Sequence, residues 1–278
     1  PLGPDIGRPV RALLLQDDGA LWTPVAGVGL GFLRSDWRRL AQLGRGQGLS
    51  GDLYQGIVPA TGGGFWIAGR PGVLQRIDAR GRVAPMSRRH RAALAGLRVK
   101  AVAEDGRGGL WLAAARTLVH VSAGQRVRTW TRASARDATQ DGLIDHLVAS
   151  PDGRHLWVGY TGSGLQQRDL LSGAVLRDLR VGAHPALGRG EMDALRFGPD
   201  GAPWLAGDSG LLRFDERDAD FVAVPSLQGG RVHGFDFAPD GSLWLHRLTG
   251  LERHVFEGGR WRLHARIADT DGIPAVES

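Results

Sequence analysis

Four of the nine histidines in this 278-residue sequence, His233, His246, His254 and His264, fall in one short C-terminal stretch, a density that suits a metal ion or a general base. Hairpin registers extrapolated from the turn residues set His246 opposite Phe235, His254 opposite Trp244 and His264 opposite Glu252. Ligands to one transition metal must all come within about 2 Å of a point. Side chains spread over different strands and depths do not meet that demand, so no metal site and no cofactor are expected. Carboxylates have a simpler use. Asp18, Asp105, Asp152, Asp200 and Asp240 stand in hairpin turns, where aspartate is explained by backbone angles and local hydrogen bonds. The run Asp215-Glu216-Arg217-Asp218-Ala219-Asp220 lacks the loop glycine of a calcium site and reads as a solvated outer turn. No Gly-x-Ser-x-Gly elbow is present, and Thr161-Gly162-Ser163-Gly164 falls in a strand-to-strand turn. No catalytic residue is assigned.

Composition narrows the classes further. With no cysteine there is neither a disulfide nor a thiolate zinc site. No apolar run approaches the length of a membrane helix, and any secretory signal is expected to lie outside the sequence. The formal charge is +6, from 35 basic and 29 acidic residues. Basic blocks such as Arg88-Arg89-His90-Arg91 are short and scattered, whereas a nucleic-acid groove gathers charge and interleaves exposed aromatics. No nucleic-acid partner is expected. Asparagine is absent altogether, which disfavours calcium sites that combine asparagine with acidic side chains.

The elements that must hold these residues come from a repeat. Trp22, Trp66, Trp111, Trp157, Trp204 and Trp244 share one frame, as in Pro151-Asp152-Gly153-Arg154-His155-Leu156-Trp157 and Pro239-Asp240-Gly241-Ser242-Leu243-Trp244. A period of about 40 to 50 residues built from strands is the mark of a β-propeller, one four-stranded blade per repeat. In the last unit, residues 231–238, 243–247, 251–256 and 261–265 read as four strands, with Asp240-Gly241 as a tight hairpin. Apolar residues fall on both parities of the inner strands, as a blade packed on both faces requires. The expected fold is therefore all-β: one propeller of six four-stranded blades over 1–278, at roughly 9–44, 53–85, 98–132, 143–180, 191–225 and 231–265. Residues 271–278 resemble the opening of a further repeat, so the array can be seven-bladed or longer. One helix is expected, over Ser87 to Leu97 on an outer blade edge.

The frame Asp-x-x-Gly-x-Leu-Trp, followed by Gly-Leu, an aromatic strand and an Asp-Gly-Leu lead-in, resembles the two-component regulator propeller repeat. Residues 102–111 and 141–165 are the clearest copies. The second copy lacks the aspartate, and Ala113-Ala114-Ala115 replaces the glycine turn of the third. The resemblance implies the extracytoplasmic, periplasmic sensor of an inner-membrane receptor whose output part is a histidine kinase, a hybrid kinase or a diguanylate cyclase. It implies no enzymatic activity and a membrane connection only through parts outside this sequence. A streptogramin-lyase-like propeller, which uses a histidine and metal-held carboxylates, and a protein-interaction propeller are the alternatives.

Propellers bind ligands where loops lead into the innermost strand and join the second strand to the third. Those positions carry Tyr54, Arg98, His146, Asp193 and His233 in the first set, and Arg70, Arg116, Tyr160, Asp208 and Arg247 in the second. Guanidinium forks suit carboxylates and tyrosine faces suit sugar rings, so a small-molecule or oligosaccharide ligand, anionic or polyhydroxylated, is expected. Homodimerisation is left open. Arg70, Arg116 and Arg247 are expected to share one mouth, where loss of Arg116 or Arg247 weakens binding and leaves the melting temperature unchanged.

Overall fold

The computed structural model describes residues 14–15, 21–25, 29–33, 40–51, 53–70, 72–85, 87–124, 126–134, 137–227 and 229–267. The chain divides into two compact units, Pro1–Thr139 with Leu143–Leu147, and Gln140–Gly142 with Val148–Ser278. Three antiparallel sheets begin the chain: β1 (Leu14–Leu15), β2 (Leu21–Val25), β3 (Gly29–Leu33) and β4 (Leu40–Leu43); then β5 (Leu53–Pro59), β6 (Phe65–Arg70) and β7 (Val73–Ile77); then, after helix α1 (Arg88–Ala93), β8 (Val99–Glu104), β9 (Leu110–Ala114), β10 (Thr117–Val121) and β11 (Val127–Trp130). A fourth follows, β12 (Ile144–Ala149), β13 (His155–Tyr160), β14 (Gly164–Asp169) and β15 (Val175–Arg180), and the chain passes between the units within β12. The last two are β16 (Met192–Phe197), β17 (Pro203–Gly207), β18 (Gly210–Asp215) and β19 (Asp220–Ala223), and β20 (Gly234–Phe237), β21 (Leu243–Arg247), β22 (Gly250–Glu257) and β23 (Arg260–Ile267). Each sheet is a meander with strands in chain order. These are the blades of a β-propeller fold.

Five blades have the expected four strands and the second has three. Its outer strand shrinks to a single bridge between Ile77 and Val83. Pro85 follows, with no N–H to extend the ladder, and Ser87 then caps α1 by accepting from the His90 amide at 3.1 Å. The helix does not lie on an outer edge. Leu94 at its C-terminus is fully buried with Ala68, Leu74, Val99 and Leu112, between the second and third sheets.

Alternate residues of the inner strands serve different cores, which is why their sequences are apolar on both parities. In β6, Phe65 and Ile67 join Trp22, Leu30 and Ile77, while Ala68 turns to Val102, Leu112 and Val119. In β17, Leu205 joins Trp157, Leu165 and Phe214, while Trp204 and Ala206 pack with Phe235, Leu243 and Leu245. Burying one such aliphatic or aromatic side chain is worth about 1.5–3 kcal/mol.

The turns between first and second strands follow a rule built on the repeat tryptophan. The residue paired with it on the third strand is Arg76, His120, Gln167, Arg213 and Arg253 in blades two to six. Where this residue is basic, it ties down the turn. His120 Nε2 lies 2.8 Å from Asp105 Oδ2, Arg213 donates to Asp200, and Arg253 reaches Asp240 Oδ2 at 2.7 Å. In blade two, which lacks the aspartate, Arg76 instead donates to the carbonyls of Thr61 and Gly63 at 3.2 and 3.0 Å. Asp105 also accepts from the amides of Arg107 and Gly109, both at 2.8 Å. A Cβ at Gly109 would fall inside that carboxylate.

Turn length corrects the registers expected for the last blade. Gly241 alone takes a positive φ, 79°, with Gly241 N donating to Ala238 O and Ala238 N to Ser242 O. That is a three-residue loop, where a two-residue turn was expected. Consequently His246 faces Gly234. The later hairpins set their own registers, placing His254 opposite Leu243 and, beyond a bulge between Arg253 and His254, Glu252 opposite Arg266.

Neighbouring blades are also joined by polar ties. Glu104 Oε2 accepts from the Thr61 amide and hydroxyl at 2.7 and 2.6 Å, and its Oε1 accepts from the Trp66 indole at 2.6 Å. Glu104→Ala removes all three, and hydrogen bonds to a charged acceptor contribute about 1.5–3 kcal/mol together with the packing they fix. Urea unfolding should register a loss in that range, with the unfolding slope unchanged.

Candidate functional site

The residues expected to line a mouth divide sharply by burial. Tyr54 and Tyr160 are buried. Tyr54 packs with Trp22 and Phe65, and its hydroxyl accepts from the Gly51 amide at 3.1 Å. Tyr160 donates to Gln166 Oε1 at 2.7 Å, inside a network in which the fully buried Arg168 also reaches that oxygen, at 2.6 Å, and the Gly173 carbonyl, at 2.9 Å. Burial pushes the Tyr160 phenol up to about 12. Neither ring offers a face to a sugar.

Arg247 is the plainest correction. It is only 7% exposed and donates to Glu252 Oε2 at 3.1 Å and to the carbonyls of Leu227, Gly229 and Gly230 at 2.7, 3.1 and 3.0 Å. Its guanidinium is spent on fastening the 227–230 loop. Glu252 in turn holds Arg266 at 2.6 Å and His254 at 3.1 Å. Burial pulls the Glu252 carboxyl upward, yet the contacts with His254, Arg266 and Arg247 outweigh it and hold the group below its usual range. Arg116 is exposed in the turn after β9, where its carbonyl accepts from Thr139 Oγ1 at 3.2 Å. His146 is half-buried in β12. Arg70 ends β6, and its side chain lies outside the described residues, as do residues 271–278. Asp208 Oδ2 accepts from the Arg189 amide at 3.1 Å, and the hollow beside it, lined by Glu191, Ser209 and Leu187, has a volume of only about 10 Å³. That is room for one water.

What does converge is a polar cluster where blades five and six begin. Arg231 grips Asp193 with two hydrogen bonds, 2.8 and 3.0 Å, and Glu191 with a third at 2.8 Å. His233 Nδ1 lies 3.9 Å from Asp193 Oδ2, and its ring sits 5.6 Å from that of His246. The backbone fixes this pairing, since the His233 amide donates to the His246 carbonyl at 2.8 Å. Two of the four C-terminal histidines therefore meet, which the extrapolated registers did not allow. Burial, and then His233, push the His246 imidazole below its usual range, against the pull of Asp193. Asp193 and His233 were legible as loop positions, and His246 was singled out only among the C-terminal histidines; Glu191 and Arg231 were not singled out. A usable signal existed, because Glu191 and Arg231 are opposite charges one repeat apart in equivalent loops.

Among the described residues, no group of three or more His, Cys, Asp or Glu is arranged to hold a metal ion. Also among them, no helix is long and apolar enough to cross a membrane. The cluster can hydrogen-bond a polar ligand through His233, His246 and the outer oxygens of Glu191, and its charges are already paired.

Comparison with known proteins agrees on the fold. No model of a known protein family matches the sequence, and no curated protein matches it. Among solved structures, a streptogramin B lyase is similar at a TM-score of 0.60 and 16% identity, over 85% of this chain and 75% of that one. The extracellular domain of BT3049 from B. thetaiotaomicron, described as part of a hybrid two-component system, is similar at a TM-score of 0.59 and 13% identity. That likeness covers 92% of this chain and 41% of the other, so this chain spans about two fifths of that domain. The class is a β-propeller, shared by a sensor domain and a lyase.

Two measurements check these assignments. Arg247→Ala should destabilise the protein by about 2–4 kcal/mol, because it strands loop carbonyls and part of a buried carboxylate, whereas Arg116→Ala should stay within about 0.5 kcal/mol. Denaturant titration of both variants separates the two cases. In an alkaline absorbance titration, Tyr160 should ionise near 12. Its raised folded-state value means that the neutral phenol contributes fully below the ordinary phenol value near 10. That contribution, roughly 2–3 kcal/mol, is then lost as pH climbs from about 10 to about 12.

Proposed function

We propose that this chain is the non-catalytic, ligand-sensing propeller of a bacterial signal-transduction receptor, acting outside the cytoplasm, with a carbohydrate or other polyhydroxylated ligand. The observation that carries the reading is the Arg231–Asp193–Glu191 clamp beside the His233–His246 pair, a half-exposed set of pre-oriented donors and acceptors from the two blades' lead-in segments. Rigid polar groups of this kind recognise hydroxyls at little ordering cost. The likeness to the extracellular domain of BT3049 over 92% of this chain supports a sensory role. With Arg247 buried and Arg231 committed to two carboxylates, the cluster favours a hydroxylated ligand over an acidic one.

A lyase reading has one observation in its favour, a His246 imidazole held below its usual range and so available as a base at neutral pH, beside His233. It also has the likeness to a streptogramin B lyase. Calorimetric titration with neutral and acidic trisaccharides, alongside incubation with streptogramin B and magnesium, decides between them. The sensor reading expects saturable binding of a neutral fragment, weakened about tenfold in His233→Ala, and an intact antibiotic. Linearised streptogramin B, or fragment binding indifferent to His233 and Arg231, would overturn it.

A further inference from the structure

Blade four breaks the turn rule. The residue opposite Trp157 is Gln167, where four other blades carry a basic side chain. The consequence is a set of polar groups left unspent. The turn carboxylate Asp152 uses Oδ1 for the Ser150 hydroxyl and the Arg154 amide at 3.0 Å, and among the described residues no cross-strand cation takes its other oxygen. The Trp66 and Trp204 indole N–H groups donate to Glu104 and Asp200. Trp157, only 1% exposed, has no hydrogen-bond acceptor for its indole among the described residues. Gln167 is 3% exposed, and Arg177 fixes its amide by donating to Oε1 at 2.9 Å. The amide nitrogen therefore faces away from the guanidinium, also without an acceptor among the described residues. Neither nitrogen is sealed off from solvent, so both are open to a ligand or water.

They are in one place. Both line a cleft of about 230 Å³ between blades four and five, together with Asp152, His155, Phe197 and Glu216. The cleft lies at the turn end of these blades, opposite the end where Asp193 and His233 cluster. Glu216 is anchored to Arg177 at 2.9 Å, which ties the outer turn of blade five to the outer strand of blade four. The Ser150 hydroxyl and the Arg154 amide hold the Asp152 carboxyl below its usual range, so the rim keeps its negative charge.

We propose that this cleft is a second binding site, for a small hydroxylated amine. The floor N–H groups of Trp157 and Gln167 donate to the ligand's hydroxyl or carbonyl oxygens. Asp152 and Glu216 at the rim take its ammonium group and repel anions, and Phe197 packs against its carbon skeleton. The volume suits a single six-membered ring or less. The site is independent of the sensor site proposed at the other end.

The test follows indole N–H resonances in ¹⁵N-labelled protein, with Trp157 assigned from Trp157→Phe. Glucosamine is the probe, with glucose and glucuronate as isosteric neutral and anionic rings. Glucosamine should shift the Trp157 resonance saturably and bind about fivefold more tightly than glucose, the ratio one screened ion pair supplies, with no shift from glucuronate. Asp152→Asn keeps the turn bonds and should erase the preference over glucose. Two outcomes overturn the site: a Trp157 resonance unmoved by glucosamine, as for a cleft filled only by water, or equal binding of all three rings. Shifts confined to backbone amides near Asp193 and His233 would place glucosamine at the other end and overturn it equally.

Discussion

The structure depends on a cross-strand lock between the residue opposite each repeat tryptophan and the turn that precedes that tryptophan. A blade buried on both faces leaves its inner hairpin turns beside apolar packing, where unpaired polar groups are costly. A basic side chain on the third strand meets that demand in blades two, three, five and six, through His120, Arg213 and Arg253 on turn aspartates and Arg76 on turn carbonyls. The partners differ, but the geometry is one: the basic residue pairs with the tryptophan across the hairpin, and its polar tip closes the turn. His120, stacked 4.4 Å from Trp111, shows the arrangement in its tightest form.

At the opposite end of the blades the loops are held by buried polar side chains that sequence position alone would assign to ligand binding. Arg247 holds three loop carbonyls and Glu252, and Tyr160 with Arg168 converges on Gln166. These networks make the loops rigid, and rigidity is what a recognition surface needs from its support. The exposed remainder, around Arg231 and His233, inherits fixed geometry from the strands behind it. Gln167 in blade four shows the converse, since a neutral residue at the lock position leaves one oxygen of the turn carboxylate without a cross-strand cation among the described residues.

Much of the fold was legible in the sequence. The spacing of Trp22, Trp66, Trp111, Trp157, Trp204 and Trp244, together with strand patterns between turn residues, pointed to a propeller, because a four-stranded blade takes about that many residues. The apolar parity of β6 and β17 determined that these strands have no solvent face, whereas the shrinking of blade two's outer strand to a single bridge was not foreseen. Only the tertiary structure decided the register of the last blade's first hairpin, since a three-residue loop and a two-residue turn share Asp240-Gly241 and differ by one position in every pair between β20 and β21. It alone decided that Arg247 and Tyr160 are internal while Arg231 is not, and that His233 and His246 meet. The physical reason is range: periodicity and turn chemistry act between neighbours in the chain, whereas burial and partner choice for a long polar side chain depend on what the next blade places beside it, some 40 residues away.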